Sequence, residues 1–224
     1  MIRTIIFLLC ITFTSAALAL TQQEKLWLGI GATRNLSNDG KWKYLVFSQA
    51  RYINESEPWQ SMLIEGGIGN VLNRYVSIWM GYRFTERNPA DGFNPENRLF
   101  EQVVSTFMLP NSNELVYRAR LEESSIRDAS SISLRLRHRL AFSHNEPIFY
   151  HLEPFLYEEI FTQLIRTSFT PNYFITENRV FIGFNWRLEN KQWVEIGYMN
   201  QFQMRLSNQS QNMMSHVLVA IYNL

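Results

Sequence analysis

Cysteine is almost absent from this chain. The single one among 224 residues, Cys10, sits in an apolar stretch near the start, preceded by Leu9 rather than a small residue. That context argues against a lipoprotein anchor, and the remaining chain has neither a disulfide nor thiolate chemistry. A second absence concerns length of apolar runs. Beyond the leader, no stretch reaches the ~18 consecutive apolar residues of a membrane-spanning helix. A third concerns charge: the formal net value is +1 and no acidic or basic tail exists. No basic excess is available to release counterions, so nucleic acid is not an expected partner. Helical periodicity is missing too, since no long segment repeats its apolar residues at 3.6. A secreted chain of this kind is either soluble or a β-barrel, the other structure that satisfies every backbone group in lipid.

Residues 1–19 have the layout of a secretory signal peptide. Arg3 supplies the positive start, Ile5 to Phe13 the apolar centre, and Ala17-Leu18-Ala19 a small-x-small cleavage site. Cleavage is expected after Ala19, leaving residues 20–224 as one barrel domain.

What the chain has in abundance is alternation. Between Glu114 and Phe142, Leu115, Tyr117, Ala119 and Leu121 share one parity, and Val116, Arg118, Arg120 and Glu122 the other. After the polar SSIRDASS, Ile132, Leu134, Leu136, Leu140 and Phe142 alternate with Ser133, Arg135, Arg137 and Arg139. Successive side chains of a strand point to opposite faces, so each run has one apolar face and one charged face. The same pattern recurs at Val76–Phe84, Val180–Leu188 and Val194–Met204. The run at 98–109 is ambiguous, because Glu101 and Gln102 fall on opposite parities.

Eleven such runs are separated by turn signals rich in Pro, Gly, Asn and Asp. Longer connections (53–58, 85–97, 125–130, 162–176, SNQSQN) alternate with short ones (SNDG, NVLN, PNSN, SHNEP, ENK), as in barrels with external loops and periplasmic turns. Trp and Tyr near run ends, including Trp27, Trp42, Tyr52, Trp59, Trp193, Tyr198 and Tyr222, suit interfacial bands. The fold class is therefore all-β: a single antiparallel transmembrane β-barrel. Bacterial single-chain barrels carry an even number of strands. That rule predicts ten strands if the first run lies outside the barrel. It predicts twelve if Ile160–Phe169 hides one more, so the expected range is ten to twelve.

Several motifs resemble the bacterial outer-membrane family catalogued as domain of unknown function 2490. They are Trp27 with its run, QAR at Gln49–Arg51, GYR at Gly81–Arg83, ENRLFEQ at Glu96–Gln102, RARLE at Arg118–Glu122 and RLRHRL at Arg135–Leu140. ENRVFIGFNW at Glu177–Trp186 and EIGYMNQF at Glu195–Phe202 complete the set. The resemblance covers nearly all of the expected mature chain and implies an outer-membrane β-barrel. The family carries no established activity, so no catalytic residue transfers.

The charged parity nominates Arg118, Arg120, Glu122, Arg135, Arg137, Arg139, Arg179, Glu195, Glu101 and Glu153 as inward-facing. Two readings stand side by side. An Arg-rich lumen would favour small anionic solutes, whereas cross-strand ion pairs would fill a narrow barrel. Three arginines in one run exceed the carboxylates nearby. The expected function is an outer-membrane barrel, pore-like or structural. The alternatives are a lipid-acting hydrolase or acyltransferase, or a soluble periplasmic barrel that binds an apolar ligand. His138 invites a catalytic guess with Ser143 or Asp128, but no G-x-S-x-G surrounds any serine. No catalytic or metal residue and no cofactor is expected. The implied partners are the outer-membrane lipid bilayer of a Gram-negative bacterium and its barrel-assembly machinery, with the solute unspecified. Gly66-Gly67-Ile68-Gly69 reads as a tight bend or bulge, and Pro154 as the site of a bulge in its strand.

Overall fold

Alternation becomes a closed sheet. The structure, a computed structural model, describes residues 20–56, 58–88, 95–127, 129–204 and 212–224. The expected signal peptide lies outside those residues. Eleven strands follow one another: β1 (Leu20–Asn35), β2 (Trp42–Ile53), β3 (Trp59–Val71), β4 (Val76–Arg87), β5 (Glu96–Leu109) and β6 (Asn113–Ile126). They continue with β7 (Ser133–His144), β8 (Leu152–Ile165), β9 (Ile175–Arg187), β10 (Trp193–Gln203) and β11 (Asn212–Asn223). Each pairs with its sequence neighbours in antiparallel register, and β1 closes the barrel on β11.

The strand number is odd, and geometry then requires one parallel pair. It is the closing one, with Leu20 opposite Asn212 and Gly31 opposite Asn223. The even-number rule therefore misleads here. The first run is a full barrel strand, and Ile160–Ile165 is the end of β8 rather than a twelfth strand. Leu20 and Leu224 accordingly lie at opposite ends. The connections after β2, β4, β6, β8 and β10 share the end of Leu20, here the loop end. Those after β1, β3, β5, β7 and β9 share the end of Leu224, the turn end. The alternation of long and short connections read from the sequence sorts as expected.

Two sequence-derived bulges are not where they were expected. Pro154 keeps its pairing to Phe184 of β9 and lies one residue past the last β7–β8 pair, Ser143 with Phe155. No β7 carbonyl there awaits the N–H that proline lacks. The ladder of β8 is irregular elsewhere: Leu164 is passed over between the Leu134–Ile165 and Arg135–Gln163 pairs with β7, and Thr176 of β9 between the Phe161–Glu177 and Thr162–Ile175 pairs. The Gly66–Gly69 segment also runs in unbroken register with β4. Gly67 and Gly69 make room on the lumen side. A Cβ on Gly69 would lie 2.2 Å from the Trp79 ring, and one on Gly67 would lie 2.8 Å from the Met80 carbonyl oxygen.

The two faces of the wall differ sharply. Outside lie Leu26, Leu28 and Ile30 of β1, Ile78, Met80 and Tyr82 of β4, and Ile182, Phe184 and Trp186 of β9, all exposed. Ile182 is 64% exposed and Met80 65%, far more than such side chains show in a water-soluble core. Inside lie Arg98, Arg120, Glu122, Arg137, Glu159, Glu177 and Gln201, all buried. A smaller apolar sector of Trp27, Phe181, Met199, Val217 and Val219 faces them across the lumen. Trp27 thus belongs to the interior, beneath the guanidinium of Arg51 at 4.1 Å, and not to an interfacial band.

Candidate functional site

Seven consecutive strands, β3 to β9, send charge into one layer of the lumen. At its centre is Glu122, 1% exposed. It accepts hydrogen bonds from Arg137 Nη1 at 2.6 Å, Arg135 Nη2 at 2.7 Å and Arg98 Nη1 at 3.1 Å. Arg137 directs its Nη2 to Glu159 Oε1 at 2.8 Å, and Arg118 Nη2 reaches the same oxygen at 2.6 Å. Glu65 holds both Arg83 and Arg120, and Glu96 holds Arg98 and Arg87. Toward the loop end Glu177 takes Arg179 and Gln201.

Guanidinium faces left over from these bonds lie against rings. Arg135, Arg137 and Arg179 surround Phe161 with centroid distances of 4.8, 4.7 and 4.6 Å. Arg120 lies 4.0 Å from the centroid of Phe100. An arginine can satisfy carboxylates at its edge and an aromatic quadrupole at its face together, which lysine cannot. Solvent does not reach Phe161, Phe181, Met199 or Val217, so ion pairs and the apolar sector pack as one buried layer within the lumen, the septum. Above it, at the turn end, a vestibule of about 270 Å³ is lined by Glu114, Ser143, Asn185, Arg187, Trp193 and Glu195, among others.

The structure places most of the residues nominated by parity on the lumen side of the wall. Arg118, Arg120, Glu122, Arg135, Arg137 and Arg179 join the septum. Arg139 also points in, 3.8 Å from the centroid of Tyr157. Glu153 is buried at the turn end, 2.7 Å from Arg187 Nε, and Glu195 lines the vestibule. Glu101 is the correction. In β5, Glu96, Arg98, Phe100 and Gln102 are buried, so one residue of parity puts Glu101 on the outer face. Phe100, not Glu101, fills the inward place.

Sequence reasoning missed the carboxylates that complete the layer: Glu65, Glu96, Glu159 and Glu177. Glu65 follows an inward leucine, Leu63, that masks the parity of β3. Glu159 follows Glu158, and a doublet of like residues carries no parity signal. His138 and Ser143 lie on opposite faces of β7 and do not meet, and Asp128 falls outside the described residues. Among the described residues no cluster of three or more His, Cys, Asp or Glu stands ready for a metal.

Fold and septum together define a single closed β-barrel with an ion-paired interior and an apolar exterior. The chain belongs to the family described as Protein of unknown function (DUF2490), which matches residues 24–212. It is also similar to an uncharacterized protein of Methylorubrum extorquens, 24% identical over 203 residues, 89% of this chain and 88% of the relative. No solved structure matches the chain.

Proposed function

We propose that this chain is an outer-membrane barrel of a Gram-negative bacterium, delivered by the 1–19 signal peptide and folded by the barrel-assembly machinery. It spans the bilayer with its lumen closed by the septum, as a structural barrel rather than an open pore. One observation carries the reading: leucine, isoleucine and methionine cover the outside while arginine and glutamate fill the inside. In water that arrangement exposes far more contiguous apolar surface than a soluble protein tolerates. In acyl chains it is the stable one. The short turns then face the periplasm and the longer connections the exterior.

A specific observation keeps an anionic preference in play. Among the described residues Arg51 and Arg139 have no carboxylate within ion-pair distance, and they lean on Trp27 and Tyr157 instead. Any path through a loosened septum would therefore meet spare positive charge.

Two measurements test this. Detergent-extracted protein is expected to migrate differently in an unboiled gel and to fractionate with membranes. In planar bilayers the wild type is expected to show no conductance steps, and Arg137→Ala with Phe161→Ala to show small, anion-selective ones. A protein released by osmotic shock without detergent overturns the membrane reading. Wild-type steps of porin size overturn the septum.

A further inference from the structure

The apolar outer wall is interrupted at His216 of β11, which Tyr198 holds, and more extensively on the β5–β8 side. Glu101 is the sixth of fourteen residues in β5, His138 the sixth of twelve in β7, and Glu158 the seventh of fourteen in β8. Each lies near mid-strand, and its neighbours on the same face are apolar: Leu99 and Val103, Leu136 and Leu140, Leu156 and Ile160. The outward positions of β9 at the same level, Val180, Ile182 and Phe184, carry no such group.

Their partners within the barrel are incomplete. The Tyr117 hydroxyl lies 2.6 Å from His138 Nδ1, with the two rings stacked. With the phenol donating to Nδ1, the imidazole proton sits on Nε2 and is directed away from that bond. Asn178 Nδ2 donates to Glu158 Oε1 at 3.0 Å. Among the described residues the second carboxylate oxygen has no partner. An outward N–H donor and an outward carboxylate thus stand on adjacent strands at membrane depth. Polar groups at that depth are costly unless they meet one another or another protein.

We propose that the β5–β8 face is where a second copy of this chain docks within the membrane. The contact is made by His138 of each copy donating to Glu158 of the partner subunit. This rests on the reading of the barrel as bilayer-spanning. Copies inserted by one route have the same orientation, so their two-fold axis must run along the membrane normal. Such an axis brings residues of similar depth together, and His138 and Glu158 stand two residues apart along the β7–β8 ladder. Passing between β7 and β8, it sets the donor strand of one barrel against the acceptor strand of the other, twice. The face is therefore self-complementary, which favours a like chain over an unlike one. Beside it, Ile78, Met80, Glu101, Val103, Ala119 and Leu121 line a concavity of about 540 Å³ in the outer wall, room for side chains of a second barrel.

The test uses full-length protein refolded into phosphatidylcholine vesicles as a mixture of donor- and acceptor-labelled molecules. Energy transfer above random dilution is expected for the wild type. Glu158→Leu and His138→Ala should each weaken association by about tenfold or more, because each change removes both hydrogen bonds of the symmetric contact. The exchange H138E with E158H should restore transfer, and Ile182→Ala on the far wall should leave it unchanged. Unboiled-gel migration of each variant reports whether it is folded and inserted. Wild type that is inserted yet monomeric, or transfer unaffected by Glu158→Leu, overturns the dimer alone. Wild type that fails to insert overturns the membrane reading instead.

Discussion

Arg120 and Glu65 meet in the lumen as a two-pronged pair, with Nη1 and Nη2 at 2.9 and 3.0 Å from the two carboxylate oxygens, although 55 residues of chain separate them. Two whole strands, β4 and β5, lie between β3 and β6 in the wall. The bond therefore cuts across the lumen rather than running along it. It is possible only because the sheet has curled, and it braces the curl in turn.

Such a pair holds register more than it adds net stability, because removing two charges from water offsets most of their attraction. Glu65→Leu is expected to lower the unfolding free energy in vesicles by about 3–5 kcal/mol, since it strands a buried guanidinium. Replacing both partners, Glu65→Leu with Arg120→Met, is expected to cost much less than the two single changes combined. Denaturant titration of the four proteins gives the coupling. Additive losses would show that the two residues act separately.

The outer wall has its own test. Leu218, seventh of the twelve residues of β11, is 62% exposed. Leu218→Arg is expected to reduce insertion into vesicles by about 2–4 kcal/mol, the range for a cation at mid-bilayer on a barrel exterior. In a water-facing wall the same change would leave folding intact or improve solubility. The folded fraction on an unboiled gel separates the two outcomes.

Glycines on the two faces should differ. A Cβ on Gly81 would lie 2.3 Å from the Phe100 ring and 2.4 Å from the Gly66 carbonyl oxygen, whereas a Cβ on Gly66 would meet nothing within 4 Å. Gly81→Ala is expected to destabilise the barrel by roughly 1–3 kcal/mol through overpacking. Gly66→Ala, whose side chain would point outward, is expected to be near neutral. Comparable losses in a denaturant titration would contradict the packing of Phe100.

Acid sensitivity outside the wall centres on the β1–β2 turn. Asp39 takes a hydrogen bond from the Ser37 hydroxyl and another from the Lys41 backbone N–H at 3.0 Å. These bonds hold its carboxyl below the usual 3.8. A depressed carboxyl stabilises the folded state above its unfolded pKa, and that contribution is lost as pH falls through the depressed value. Ser37→Ala is therefore expected to move the Asp39 titration up toward 3.8, followed by the NMR shift of its carboxyl carbon. An unmoved titration would show that the hydroxyl is not the cause.

Legibility followed the periodicity. In β6 and β7 arginine alternates with apolar residues, broken only at His138, and in β9 and β10 apolar residues alternate with polar or small ones, so most of their faces are legible in the order of residues. In β5 the neighbours Glu101 and Gln102 are both polar, and only the neighbouring strands say which turns inward. In β3 the inward Leu63 hides the parity of Glu65. A side chain of either kind can occupy a lumen that holds an apolar sector as well as a charged one.

The chain's own order of residues determined that it forms strands, roughly where they turn, and which face of most of them avoids water. These are local matters, decided by a repeat of two and by the backbone habits of proline, glycine and asparagine. Closure was decided elsewhere. Whether the wall has ten, eleven or twelve strands depends on β1 meeting β11 in parallel, a contact between segments nearly 200 positions apart in the chain, about the separation of Leu20 and Asn212. The carboxylates that neutralise Arg118 and Arg120, Glu159 and Glu65, likewise come from strands not adjacent to theirs. Only the rolled sheet puts Glu65, Glu122 and Glu159 within hydrogen-bonding reach, because the partners converge across a space that does not exist until the barrel shuts.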